Sequence, residues 1–240
     1  GPIVNLDLAH GIALSVQFTG FSATRELDTF EIWNDAKDLD EFIHGLQFFD
    51  VGSLNFAYSD GKGNIAFFSG GEVPVREDLQ AGTVNGLPPM FIRNGTGGNE
   101  WLPVQHPQPG QALPTEILPF SETPQIINPP AGFFVNANND PAGISHDNNA
   151  LNQLRPGGGI YYLAAYFETL RAGRITQLLR EKLAKGRKVS VEDMQEIQAD
   201  TVLPDAPVFV PHILEAWANA QSTAEPALAV ARQPEAVRDR

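Results

Sequence analysis

The 240-residue chain contains no cysteine. Disulfides, thiolate catalysis and cysteine-based zinc sites are therefore excluded within it, although this does not fix a compartment. Histidine is scarce and scattered, at His10, His44, His106, His146 and His212. No H-E-x-x-H pair exists, so zinc chemistry has no ligand set, and His44 reads as a surface or groove residue. No G-x-S-x-G elbow is present. Positive charge is also short. Lys and Arg total 16 against 29 Asp and Glu, a formal net charge of −13. That balance argues against nucleic acid, whose phosphates need cations, and against an anionic membrane surface. No apolar run approaches the roughly 18 residues needed to span a bilayer. Residues 1 and 2 lead into neither a basic segment nor an apolar core of a signal peptide. No internal repeat stands out.

The hydrophobic fraction, 42%, is enough for a sizeable core in one or two domains. Strand-like text comes first and helical text later, which points to an α+β class. Strands are expected around 12–18, 53–59, 64–69 and 132–137. The second and third form a hairpin across Asp60-Gly61-Lys62-Gly63. Helices are expected after 36, 164, 191 and 208. The first has an acidic start and apolar residues at 39, 42, 43, 46 and 49. Ala164–Ala184 carries its Arg and Lys late, where the helix dipole favours them. Ser190-x-x-Asp193 is a capping-box variant, and Pro211 falls in the first turn of the last helix. Residues 70–131 are rich in Gly and Pro with little periodicity, and such a stretch is usually functional or disordered. Gly157-Gly158-Gly159 lacks the spacing of a phosphate loop and reads as a close backbone approach. Residues 221–240 read as a polar Ala/Pro-rich tail. The acidic pairs at 38–41 and 77–78 look like solvated faces.

One stretch needs a reason. Gly132-Phe133-Phe134-Val135 reads as a buried strand led in by a Pro-Pro-Ala-Gly turn, yet it ends in Asn136, Asn138, Asn139 and Asp140-Pro141. Asparagine is poor inside strands. A strand-to-loop turn explains it, because Asn and Asp tolerate left-handed geometry. A carboxamide N–H aimed at a developing oxyanion explains it too.

The pattern N-P-x-x-G-(apolar)3-N-x-N-N-x-P resembles a signature in the large subunit of the penicillin acylases, N-terminal-nucleophile amidohydrolases. Other pieces follow in the same order. Leu54-Asn55-Phe56-Ala57-Tyr58-Ser59-Asp60 with Gly63-Asn64-Ile65 resembles the family's strand–turn–strand. Pro74 and Arg76, Leu118-Pro119-Phe120, Arg174-Ile175 and Ser190-Val191-Glu192-Asp193 resemble further steps. The order holds over roughly residues 10–220.

The resemblance implies part of a four-layer αββα sandwich, two antiparallel sheets between helical layers. It implies cleavage of the side-chain amide of N-acyl compounds, of the β-lactam or acyl-homoserine-lactone type. The nucleophile would be an N-terminal serine absent from this chain, whose Gly1 has no hydroxyl. The base would be that serine's own α-amine, partly neutral near pH 7 because its pKa is about 7.7–8. Residues 1–220 would then be the central part of the large subunit of an autoprocessed, heterodimeric enzyme, partnered by other segments of the same precursor. Asn138 would be an oxyanion donor. Arg174, or Arg171 if the register slips by a turn, would orient the amine and the Asn; an ordinary helix ion pair explains Arg174 equally. Leu54 and Phe30 would line the acyl pocket, and core packing is the simpler reading for Phe30. A structural calcium would take Asp147, Asn148 or Asn149 with a carbonyl from Gln80–Pro88; no cofactor is needed for the chemistry. Localisation would be periplasmic or extracellular. Two other readings stay open: a catalytically inactive relative acting as a binding or structural module, and an unrelated binding domain.

Overall fold

The computed structural model describes residues 1–84, 89–164 and 170–222. It divides into two compact units, Gly1–Glu168 and Thr169–Arg240. The first opens with an antiparallel hairpin, β1 (Ile3–Asp7) and β2 (Ile12–Ser15). Its turn is closed by Asp7, which accepts the His10 amide and meets the His10 ring at 2.7 Å. Helices α1 (Glu26–Asp35) and α2 (Leu39–Leu46) follow. A three-stranded antiparallel sheet then runs in the order β3 (Asn55–Ser59), β4 (Ile65–Ser69), β5 (Gln125–Ile127).

The core sits between α1, α2 and this sheet. Leu46, Phe49, Ala66 and Phe68 are buried, with Trp33, Phe42, Phe56 and Tyr58 packed against them. Alternation along β3 sends Phe56 and Tyr58 to the helix side. Trp33 stacks on Phe42 at 4.6 Å, meets Phe56 edge-on at 5.1 Å, and donates its indole N–H to the Phe42 carbonyl. Each large side chain buried here contributes about 1.5–3 kcal/mol by transfer. The two helices approach closely because Gly45 has no side chain; a Cβ there would stand 2.7 Å from the Trp33 ring. The Thr29 hydroxyl seals the same contact by donating to the Gly45 carbonyl.

Two sequence expectations need correction. The acidic text before Asp35 is itself a helix, α1, and α2 begins only at Leu39, because the Asp38 carboxylate accepts the Glu41 amide and caps it there. Residues 132–137 form no ladder. The place beside β4 is taken by β5, just before the Asn128 turn, so Phe134 packs its ring against Phe67 at 5.9 Å instead. Residues 70–84 and 89–131 run as a long excursion with little regular secondary structure, and 85–88 lie outside the described residues. Isolated bridges join Pro74 to Ile117, Arg76 to Trp101 and Pro103 to Thr115, and a short helix, α3 (Glu77–Ala81), lies within the excursion. Val75, Leu79, Leu113 and Ile117 bury its inner side.

Gly159 returns the chain onto α3, and a Cβ there would sit 2.6 Å from the Gln80 Cα. This is the close approach expected of the glycine run. Arg155 fixes it by donating to Glu122 at 2.7 Å and to the Gln80 carboxamide at 2.7 Å.

The second unit contains α4 (Leu170–Leu183), α5 (Val191–Gln198) and α6 (Ala206–Ser222). The Ser190–Asp193 capping box is formed, each side chain bonding the other's amide. Pro211 lies inside α6 rather than in its first turn. The tail from 223 lies outside the described residues. Among them no helix is long and apolar enough to cross a membrane.

Candidate functional site

The asparagine run forms a tight loop whose backbone is fixed by its own side chains. The Asn136 carboxamide oxygen accepts the Asn138 amide at 3.4 Å, and the Asn139 oxygen accepts the Ala137 amide at 3.0 Å. These bonds bracket Asn138, which has φ 61°. That left-handed conformation is costly for most L-residues and tolerated by asparagine. Ala137 before it and Asp140 after it are buried, while Asn138 is exposed. A carboxamide with two N–H donors is thus presented on a short, doubly anchored arch.

Asp140 organises the far side of the arch. One carboxylate oxygen accepts the Ala142 and Gly143 amides, at 3.0 and 2.8 Å. The other accepts the Ser145 amide at 2.7 Å and the Ser145 hydroxyl at 2.8 Å. Burial disfavours the charged form, but these donors outweigh it and hold Asp140 below the usual carboxylate range. Ile144 in the same loop is fully buried.

The near side hangs from the hairpin. Asp60 accepts the Lys62 and Asn64 amides, the Asn64 carboxamide and the Tyr58 hydroxyl. Asn64 in turn accepts from the Asn128 carboxamide, whose oxygen accepts the Ile65 amide. Asn128 has φ 46°, and the Pro129–Gly132 turn that follows is closed by a 2.8 Å backbone bond. Tyr58, Asp60, Asn64 and Asn128, all in the quoted motifs, therefore form one network at the entry to the arch.

The remaining expected residues have their own settings. Leu54 is exposed, and its carbonyl accepts the Gly70 amide beside β3. Phe30 on α1 is about half exposed and stands edge-on to Trp33 at 5.9 Å and Phe49 at 6.4 Å, at the rim of the core. Asp147 accepts the Asn149 amide and the Asn152 carboxamide. Among the described residues no three acidic or histidine side chains are grouped to hold a metal. A calcium ion at Asp147 would draw its other oxygen ligands from carbonyls or from elsewhere in an enzyme. Arg174 belongs to the second unit, where its guanidinium forks onto Asp200 at 3.0 and 2.7 Å. That pairing raises the pKa of Arg174 and lowers that of Asp200. His44 is exposed on α2, edge-on to Phe48.

Asp140 and Ser145 carry more of the local geometry than the sequence reading assigned them. The signal was present as an Asp–Pro step with a hydroxyl residue five positions on, but it read as an ordinary turn. A cleft of about 630 Å³ lies away from the arch, walled by Val16, Arg76, Phe91, Arg93 and Trp101 among others.

Comparison with known proteins bears on the fold and the family. The chain resembles a solved thermostable penicillin G acylase from Alcaligenes faecalis with TM-score 0.59 and 22% identity, over 96% of this chain and 35% of that one. It thus spans about a third of that chain's length and shares its α+β fold. A family model described as penicillin amidase matches residues 1–235. With almost its whole length matched, the chain belongs to the penicillin amidase family.

Proposed function

We propose that the chain is part of a hydrolase that cleaves the side-chain amide of N-acyl substrates, of the β-lactam or acyl-homoserine-lactone type. The observation that carries this reading is Asn138, an exposed carboxamide on a pinned arch at the family's oxyanion-donor position. The nucleophile is the hydroxyl of an N-terminal serine from outside these 240 residues. Its α-amine takes the hydroxyl proton as the oxygen attacks the amide carbon. Negative charge gathers on the former carbonyl oxygen, and an Asn138 N–H donates to it there. Collapse of the adduct expels the amine, which leaves with the proton, and water then releases the acyl group.

Arg174 has the family position of the arginine that orients the α-amine, and Asp200 fixes the plane of its guanidinium. Leu54 and Phe30 offer exposed apolar surface to the acyl group. Asp147 supplies one carboxylate to a structural calcium. Further segments of a processed precursor cover apolar surface that stands open in both units. Ile3, Val4, Leu6 and Ile12 of the first hairpin are exposed, as are Phe209 and Ile213 of α6. The enzyme works in the periplasm or outside the cell.

Two measurements test this. Intact mass and N-terminal sequencing of the purified enzyme should find a chain beginning with serine; its absence removes the nucleophile and the reading with it. In the complete enzyme, Asn138→Ala should lower kcat about 10²- to 10³-fold with KM little changed, since the bond forms only in the transition state.

A further inference from the structure

We infer that Asp140 and Ser145 are positioning residues for amide hydrolysis, acting through Asn138. This rests on the oxyanion reading of Asn138 given above. The argument starts from the requirement that a transition-state donor be held in place before the charge develops. Asn138 is exposed, so packing alone does not hold its side chain. Its backbone must be fixed from both sides. On the N-terminal side the Asn136 and Asn139 carboxamides do this through the Asn138 and Ala137 amides. On the C-terminal side Asp140 ties down the chain that follows Asn139. That carboxylate is buried and gathers the Ala142, Gly143 and Ser145 amides and the Ser145 hydroxyl.

The Ser145 hydroxyl is the sensitive part. It is the side-chain donor on the oxygen that also takes the Ser145 amide, so it sets the direction of the carboxylate and hence of the chain two residues back. A misplacement of about 1 Å in such a group costs about 10²-fold in rate. Both are assigned to act on the asparagine rather than on the substrate.

The test uses kinetics on the complete enzyme with single and double variants. Ser145→Ala should lower kcat about 3- to 10-fold with KM within about twofold, and Ser145→Thr, which keeps the hydroxyl, should restore most of it. Asp140→Asn should lower kcat about 10- to 100-fold. Placed on an Asn138→Ala background, Ser145→Ala and Asp140→Asn should cost almost nothing more, because residues acting through one group are not additive. Losses that multiply with that of Asn138→Ala would overturn the inference. So would a Ser145→Ala enzyme that folds and keeps full kcat, whether or not Asp140→Asn folds. If Asn138→Ala itself loses no activity, the oxyanion reading fails first, and the outcome is distinguishable from these two.

Discussion

In the first unit the partners of Asp140 among the described residues are three amides and a hydroxyl. In the second unit Asp193 is equally buried but sits between Lys182, at 3.1 Å, and Arg187, while also capping α5 through the Ser190 amide. Both carboxylates are held below the usual range, Asp140 against its own desolvation and Asp193 first by the Arg187 hydrogen bond. The difference lies in what each arrangement protects. Neutral donors fixed in the backbone define a loop shape and respond little to ionic strength. Long cationic side chains bridge two helices and trade with salt.

The comparison breaks most sharply at Asp140→Ala. It strands four donors in a buried site, and the expected loss is about 2–4 kcal/mol in urea unfolding, unchanged by salt. A loss near zero would mean that the loop does not depend on its carboxylate. Arg187→Met should lower the urea midpoint less, and the deficit should shrink in molar salt, where the screening length falls to about 3 Å. An equal deficit at all ionic strengths would remove the contrast between the units. The pH dependence comes next. Asp140 has a lowered folded pKa, so its contribution is complete above the unfolded value of about 3.9 and is lost as pH falls through the folded one. The protection factors of the Ala142, Gly143 and Ser145 amides, corrected for intrinsic exchange, should stay level at pH 5 and above (about one unit over that value) and fall only in stronger acid. Early loss near neutrality would contradict the assignment. The smallest effect on stability is expected for Asn138→Gly. Glycine accepts the left-handed backbone, so unfolding should shift by only a few tenths of a kcal/mol, about 0.5 at most, while kcat falls as in the alanine variant.

Much of this was legible beforehand. The hairpin was readable because Asp60-Gly61-Lys62-Gly63 combines turn chemistry with alternating apolar flanks, and Ser190–Asp193 because its capping pattern is local. The glycine run was readable because only a missing Cβ permits such an approach. Other features depended on tertiary choice. Nothing in Gly132–Val135 announces that β5 has already occupied the place beside β4. Helix α1 was hidden because Arg25, its N-cap, makes no side-chain cap bond; Arg25 instead bonds the buried Asp50, 25 residues away. Asn138 stood out by family resemblance. The bonds of Asp140 and Ser145 were not legible, because an Asp–Pro step reads equally as an ordinary turn and does not say which amides its carboxylate gathers.

The Asn128 network has a consequence for how this chain can vary in length. The β3–β4 turn and the exit from β5 are tied through Asn64 and Asn128, residues 64 positions apart. A residue inserted into the turn displaces Asn64 from Asp60, and one inserted after Ile127 withdraws Asn128 from Ile65. Either event unfastens both segments together. Loops of this exposure ordinarily absorb insertions. Here substitution is tolerable where length change is not, so the two segments must keep their lengths or change them in concert.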